Sequence, residues 1–509
     1  MAYTEPQDVR IQPPQETAGQ RIAVKDLSVA YGTGAGRRAI IDHVSFTLRM
    51  GQVTGLVGKN GAGKSSLLWA IVDPHRRISG AVELEGRALD PASIGYMPQQ
   101  SVLTIYPWIR GFENVALAKH IAGASTEEMR AHAQDVMERM GMEVPLDRPA
   151  SASSGGERTK IALLRSVAGA DLKLWLLDEP FEGLDADSQK VLVKKIRDVA
   201  ASGVAVLLTS HRYSDFDEVG ADVLVMEGDP VHTVKPATAA DRRDKTPSPT
   251  LKSDSRHGEQ RASLTLPGLV GLIGGIVLWQ LLSWIVQRES LFPSPFQTIR
   301  EMWDIIGDRQ RVLHLAATIV RAGLGWIVGL ALGIAGGLVI GFYQKAYRYL
   351  AIWLSIGRCF PVFVLTGFAL GILPNQPELQ RLLLILLMTM LVSLQMVSLA
   401  AYLAPRRRLD IARLGGASDW FCLWNVIRYE VMGSILSTAE ISLPLSIIVA
   451  LVVETFLIPE VGLGLQIMNA MSGSAGVKVV LATVLFPAIV GAVGVWLIRR
   501  SSIRWRYEI

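Results

Sequence analysis

Two stretches, far apart in the chain, have the residue types to hold and cleave a polyphosphate. The first, GLVGKNGAGKSS, contains Gly58-x-x-x-x-Gly63-Lys64-Ser65. Its glycines let consecutive backbone N–H groups turn inward around phosphate oxygens, and Lys64 adds a point charge toward the terminal phosphates. The Ser65 hydroxyl is placed to hold Mg²⁺, and a helix opening here contributes partial positive charge. The expected binding set is Gly58, Asn60, Gly61, Gly63, Lys64, Ser65 and Ser66. The second stretch, LKLWLLDEP, is an apolar run ending in Asp178 and Glu179. A carboxylate at a strand end reaches Mg²⁺ through water, the role expected of Asp178. Glu179, next to it, is placed to polarise a water for attack on phosphorus.

These residues need a scaffold. From Arg21 the chain reads as short β-type runs separated by glycine turns: IAVKDLSVAYG, HVSFTLRMG and VTGLVG, then LKLWLLDE and VAVLLTS. Helical stretches lie between them, an alternation that predicts an α/β domain with a mainly parallel core sheet over residues 21–230. Residues 1–20 are polar, contain proline and lack a signal-peptide apolar core, so a disordered tail on a cytoplasmic domain is expected. Residues 231–262 are rich in Pro, Thr, Ser, Lys, Arg and Asp without apolar periodicity, and read as a flexible linker.

Between the two stretches lies SASSGGERTK, and here the chain resembles the ATP-binding-cassette (ABC) family. Ser153-Ser154-Gly155-Gly156-Glu157 is similar to its signature motif, with Ser for the usual Leu and Glu for the usual Gln. Ser154, Gly155 and Gly156, which that family uses to grip the γ-phosphate of the opposite subunit, are intact. The resemblance implies further roles. Tyr31 would stack on adenine. Gln99 in IGYMPQQ would touch Mg²⁺ and the attacking water, with Gln100 the alternative by one register. Gly183-Leu184-Asp185 would form the loop that communicates across a dimer, and His211 would contact the γ-phosphate. The catalytic set is then Glu179, His211 and Gln99, the Mg²⁺ set Ser65, Gln99 and Asp178, and Asp185 joins the nucleotide contacts. One chain carries one phosphate loop and one signature, so the resemblance implies a homodimer that closes on ATP.

Residues 263–509 read as membrane. Six apolar runs, near 264–286, 313–342, 349–373, 380–403, 433–457 and 478–498, each reach or approach the ~20 residues needed to cross a bilayer. The fifth is the weakest, interrupted by Glu440, Pro444 and Glu454. Six crossings return the C-terminus to the cytoplasmic side. Lys345, Arg348, Arg406, Arg407, Arg408 and Arg413 then fall inside, as do Arg499, Arg500, Arg504 and Arg506, although Arg288, Arg300, Arg309 and Arg311 fall outside. Between the fourth and fifth runs, DIARLGGASDWFCLWNVIRYE resembles the Glu-Ala-Ala loop of bacterial importer permeases at Asp410, Ala412, Gly416, Val426 and Ile427. Arg428 and Tyr429 replace the usual Leu-Pro. The resemblance implies a cytoplasmic coupling loop near 406–430 that docks on the ATPase near Gln99, with Trp420 and Trp424 as anchors.

The membrane half is similar to the nitrate/sulfonate/taurine importer group in LFPSPFQTIREMWDII, in His314, Thr318 and Arg321, and in Pro459-Glu460-Val461-Gly462-Leu463-Gly464. Tyr106-Pro107-Trp108 and Glu113-Asn114-Val115 resemble the same group. The whole implies an α/β ABC ATPase followed by an all-α six-helix permease of the type I importer fold, multi-pass in a bacterial inner membrane. It would move a small polar solute (sulfonate, taurine, nitrate or bicarbonate-like) delivered by an extracytoplasmic binding protein. A vitamin precursor such as a thiamine pyrimidine is an alternative cargo, and an exporter or flippase an alternative class. Ionisable residues inside spans are functional candidates by default. Arg321, Arg358, Glu440 and Glu454 qualify, with Arg321–Glu440 or Arg358–Glu454 as possible structural pairs. The outer loop at Asn375, Gln376, Pro377 and Glu378 could face a binding protein or be a simple turn.

The averages, 50% hydrophobic and 19% charged, hide this division into a soluble and a membrane half. A net charge of +5 over 509 residues with no basic stripe on the soluble half argues against a nucleic-acid partner. Two cysteines, Cys359 and Cys422, give neither a disulfide framework nor metal-ligand spacing.

Overall fold

The apolar runs of the first half become the central strands of one sheet in a computed structural model of the chain. It describes residues 20–508 apart from 32–37, 60, 170, 183, 185, 229, 238–265, 287–291, 360, 458–459 and 473–475. Asn60, Gly183, Asp185, Pro459 and most of the expected tail and linker lie outside the described residues. The chain divides into two units, residues 1–250 with Asp410–Ala417, and residues 251–409 with 418–509.

Among the described residues the first unit holds ten strands: β1 (Arg21–Tyr31), β2 (Arg38–Arg49), β3 (Val53–Val57), β4 (Ser79–Leu84), β5 (Arg87–Ala88), β6 (Ile94–Met97), β7 (Leu174–Asp178), β8 (Ala205–Thr209), β9 (Asp222–Gly228) and β10 (Val231–Pro236). Their order is β5-β4-β1-β2-β10-β9-β3-β8-β7-β6. The run β9-β3-β8-β7-β6 is parallel throughout, while β1, β2, β4 and β5 form an antiparallel arm. β3, β7 and β8 are buried at every position, which is why they read as continuous apolar runs rather than alternations. β10 falls in the stretch read as linker. It escapes a period search because VHTVKP is short and ends in proline, but it pairs antiparallel with β9.

Seven α-helices accompany the sheet among the described residues: α1 (Lys64–Val72), α2 (Gly111–Val115), α3 (Leu117–Ile121), α4 (Thr126–Met140), α5 (Gly155–Ser166), α6 (Ala186–Ala201) and α7 (Tyr213–Val219). The apolar faces of α2, α4, α5, α6 and α7 pack with one face of the buried strands in a core that includes Phe112, Trp175, Ile196 and Phe216. The Tyr106 and Glu113-Asn114 segments meet inside it. Buried Asn114 accepts from the Tyr106 N–H and donates to the Tyr106 carbonyl, both at 2.9 Å.

The second unit is helical: α8 (Leu266–Val286), α9 (Pro295–Gly307), α10 (Arg309–Phe342), α11 (Gln344–Arg358), α12 (Val362–Ile372), α13 (Pro377–Leu403) and α14 (Arg407–Leu414), which belongs to the first unit from Asp410 on. Then come α15 (Asp419–Phe421), a π-helical turn over Cys422–Ile427, α16 (Arg428–Glu430), α17 (Met432–Phe456), α18 (Leu463–Ser472) and α19 (Gly476–Glu508). Among the described residues, four helices are long and apolar enough to span: α10, α13, α17 and the Val477–Ser501 part of α19. The third apolar run comprises two helices of 15 and 11 residues, the second opening after Pro361. The first run is described as apolar only over Ile273–Val286. The fifth run, interrupted in sequence, is one continuous helix with Pro444 inside it.

α10 and α13 approach closely along a line of glycines at four-residue spacing: Gly325, Gly329, Gly333, Gly337 and Gly341. A Cβ at Gly333 would stand 2.5 Å from Ser393 Cβ, and one at Gly341 2.3 Å from the Ser398 carbonyl oxygen. Small residues at this period bring two helix backbones together where lipid offers no hydrophobic drive.

Candidate functional site

Four neighbouring parallel strands end on the same side, and each delivers one element of the site. β3 runs into the phosphate loop, β6 into Gln99, β7 into Asp178 and Glu179, and β8 into Ser210 and His211. Ligands of open α/β sheets sit at such carboxyl ends. Residues far apart in the chain, from Gly58 to His211, converge because their strands are neighbours in the order β3-β8-β7-β6.

In the phosphate loop Gly61 and Gly63 adopt φ of 79° and 93°, a conformation that disfavours side chains. At Gly63 an added Cβ would also lie 2.6 Å from Ile40 Cγ2. Lys64 opens α1, and its Nζ donates to the Gly58 carbonyl at 3.0 Å. This cradle of turned backbone with a lysine at its centre fits a polyphosphate. Mg²⁺ typically takes a few protein ligands plus phosphate oxygens. One hydroxyl (Ser65), one amide (Gln99) and one buried carboxylate (Asp178) suit that habit, and no cluster of three or more His, Cys, Asp or Glu ligands occurs among the described residues.

Glu179 is a non-glycine residue in the left-handed region, at φ 50°. Such backbone costs on the order of 1–3 kcal/mol and is retained where surroundings enforce it, often at reactive centres. Its N–H donates to Thr209 Oγ1 at 2.9 Å, and the same hydroxyl donates to Asp178 Oδ1 at 2.8 Å. Gln99 Nε2 donates to Glu179 Oε2 at 3.2 Å and approaches Glu182 Oε2 at 3.4 Å. Gln99, one of the two registers left open by the sequence, thus brings its amide to Glu179. His211 Nδ1 stands 3.7 Å from Glu179 Oε2. Burial pushes the Glu179 carboxyl above the ordinary glutamate range, and Glu182 and Asp178 add to the rise against the opposing pull of His211 and Lys64. A base whose proton affinity is raised toward neutrality is better matched to proton transfer in water at that pH. Sequence reasoning missed Thr209, Glu182 and the Ser210–Asp215 bond of 2.5 Å beside His211. A threonine at the end of an apolar strand carries no signal until its neighbour strand is known.

Ser154 caps α5. Its Oγ accepts from the Glu157 N–H at 3.3 Å, and its N–H donates to Glu157 Oε2 at 2.7 Å. The Glu that departs from the signature pattern thus closes a capping box and also pairs with Arg148 at 2.6 Å. That backbone hydrogen bond leads the effects holding the Glu157 carboxyl below its usual range. Gly155 and Gly156 are exposed, with nothing within 4 Å of an added Cβ at either. For Tyr31 only the backbone, paired with Arg38, is described.

Asp410, Ala412 and Gly416 lie in the segment that groups with the first unit. Asp410 pairs with Arg76 at 2.7 Å. Arg76 lies over the Trp69 ring at 4.6 Å, and Trp69 meets Tyr96 of β6 edge-on at 4.8 Å. Gly416, at φ 84°, ends α14. Trp420 and Trp424 belong to the second unit, where their rings meet edge-on at 5.4 Å. Trp420 is exposed.

The membrane charges pair differently from expectation. Arg321 binds Glu454 Oε1 at 2.8 Å and, through two nitrogens, Glu378 at 2.6 and 2.9 Å. Glu440 pairs with Arg499 at 3.0 Å, not with Arg321. The side chain of Arg358 lies outside the described residues. Spacing along one chain cannot reveal that α10, α13 and α17 bring their polar positions to one level. Fully buried Glu454 also accepts from Thr318 Oγ1 at 2.8 Å and from the Gly464 N–H at 3.1 Å. His314 Nδ1 accepts from the Gly462 N–H at 2.8 Å. Glu378, read from sequence as a turn or partner-facing residue, is exposed and pairs with both Arg321 and Arg381.

The family pattern described as "ABC transporter" matches residues 41–182. The taurine import ATP-binding protein of Pseudomonas aeruginosa is 29% identical over 48% of this chain and 94% of its own length. The lipoprotein-releasing system ATP-binding protein of Maricaulis maris is 33% identical over 36% of this chain and 84% of its own. The lipopolysaccharide export system ATP-binding protein of Haemophilus influenzae is 30% identical over 38% and 86% respectively. These matches extend over less than half of the chain. With the family pattern over residues 41–182 and relatives of 30% identity or more matched over most of their length, this chain belongs to the ABC transporter family of ATP-hydrolysing proteins.

Proposed function

We propose that this chain is the joined ATPase and permease of an importer that works as a pair of identical copies. The first unit binds ATP at the Gly58–Ser66 loop, with Tyr31 against adenine and Mg²⁺ held by Ser65, Gln99 and Asp178. Glu179 takes the proton of the attacking water, and His211 steadies the phosphate charge that develops. The exposed signature at Ser154, Gly155 and Gly156 serves the nucleotide of the second copy, with Asp185 at the contact. Mg²⁺ supplies charge neutralisation on the phosphates when bound.

One observation carries the coupling of hydrolysis to transport. The Asp410–Ala417 segment, which resembles a permease coupling loop, packs as part of the nucleotide-binding unit through Asp410 and Arg76. Import is favoured by the similarity to a taurine import ATP-binding protein and by the importer-like segments of the membrane half. The solute is then a small polar molecule such as a sulfonate, brought by an extracytoplasmic binding protein to a multi-pass protein of a bacterial inner membrane. Export is the second reading, because the lipoprotein-releasing and lipopolysaccharide export relatives match at slightly higher identity. The test is ATP hydrolysis by the purified chain in proteoliposomes, with and without a candidate binding protein loaded with taurine. Stimulation by the loaded protein alone, with taurine uptake, supports import. Hydrolysis indifferent to it, with outward movement of lipid-linked cargo, supports export.

A further inference from the structure

We propose that Thr209 is a positioning residue for ATP hydrolysis, its single buried hydroxyl setting the orientation of both site acids. The proposal rests on the roles given above to Asp178 and Glu179. Thr209 ends β8, in parallel register with Asp178 at the end of β7, and it is fully buried. The direction of its two hydrogen bonds is fixed by chemistry. An ionised Asp178 offers only lone pairs, so the Thr209 hydroxyl must donate to it. The Glu179 N–H can only donate, so it lands on the hydroxyl's lone pair.

Two consequences follow. Asp178 has one oxygen engaged at 2.8 Å, which orients its other oxygen for a cation-bound water. Glu179 has its N–H held at 2.9 Å while its backbone stays left-handed, the geometry in which its carboxylate meets Gln99 and His211. Without the hydroxyl, a part-buried N–H loses its acceptor and the strained turn loses a restraint. The β7–β8 backbone pairing needs only the Thr209 main chain and remains.

The experiment compares Thr209→Val, which keeps the branched shape, with Thr209→Ser, which keeps the hydroxyl, in the full-length chain in detergent. Steady-state ATP hydrolysis, affinity for a fluorescent ATP analogue and melting temperature are measured for each, alone and with Glu179→Gln. The Val variant should lose about tenfold or more in kcat, equivalent to a barrier rise of about 1.4 kcal/mol. Its KM and analogue affinity should stay within about threefold, the pattern of an interaction serving the chemical step. The Ser variant should recover most of kcat. In the Glu179→Gln background Thr209→Val should cause little further loss. A Val variant within twofold of the unsubstituted kcat overturns the proposal. So does a Ser variant as impaired as the Val variant, because the methyl group and not the hydroxyl would then matter. If Thr209→Val does not fold, Ser against Thr209→Cys decides: equal kcat overturns the hydroxyl's role, and a several-fold deficit in Cys supports it. Normal turnover by Glu179→Gln would instead remove the base assignment, an outcome separable from a failure at Thr209.

Discussion

Glu179 in the first unit and Glu454 in the second are both shielded carboxylates, and their surroundings differ. Glu454 accepts from a guanidinium, a hydroxyl and a backbone N–H, and is fully buried. Its charge is neutralised and both oxygens are engaged. Glu179 meets an amide at 3.2 Å and a histidine nitrogen at 3.7 Å, on strained backbone, with its proton affinity raised by burial. Saturated groups hold helices together, and unsaturated ones are available for chemistry. Ionisable residues within apolar spans are functional candidates by default, but here Arg321 and Glu454 tie α10 to α17 while Glu378 adds α13.

That contrast can be broken from either side. The largest effect is expected at Glu179→Gln, which should lower kcat for ATP by a factor of about 10²–10⁴, the range for a positioned acid–base group, while ATP binding persists. In steady-state assays normal turnover would remove Glu179 as base. Next, Arg321→Ala leaves Glu454 buried without its counter-charge and should cost about 3–5 kcal/mol of stability in the second unit. Denaturation monitored by tryptophan fluorescence checks this, and an unchanged melting curve would mean the pair is not structural. Gly333→Val must force α10 from α13 against a 2.5 Å contact, with an expected cost of about 1–3 kcal/mol or loss of folding. Gly323, with nothing within 4 Å of an added Cβ, is the matched control.

The smallest effect is one of pH. Because the Glu179 carboxyl titrates above its unfolded value, the native state binds that proton more tightly. Its contribution to stability is present below the unfolded pKa and is lost as pH rises through the folded one. Glu179→Gln should therefore melt higher than the parent at neutral pH, with the gap closing in acid. Hydrolysis, which needs the ionised form, should fall as pH drops through a range above that of an ordinary glutamate. A stability gap that is constant with pH would contradict this sign.

The nucleotide site was legible because its residues cluster at strand ends in short motifs. The phosphate loop, the paired acids and His211 each follow a continuous apolar run, and the buried parallel strands explain that pattern. The contact of the Gln99 amide with Glu179 was visible only in the structure. Thr209 was illegible, since its role comes from β7 and β8 being neighbours. In the membrane half hydropathy located the apolar stretches but not their breaks, as at Pro361. Pairing of charges was out of reach, because Arg321 finds partners 57 and 133 positions away on two other helices. The line of glycines on α10 was visible as composition, but its partner helix was not.

The most direct test sets both carboxylates side by side in the full-length chain. Glu179→Gln and Glu454→Gln are purified together, and each is measured for kcat with ATP and for melting temperature. Glu179→Gln should lose hydrolysis by at least about a hundredfold with its melting temperature held or raised. Glu454→Gln should lose melting temperature while the hydrolysis of molecules still folded stays within a few-fold of the parent. The opposite pattern, with hydrolysis intact in Glu179→Gln and abolished in a stable Glu454→Gln, would contradict the division of labour between the two units.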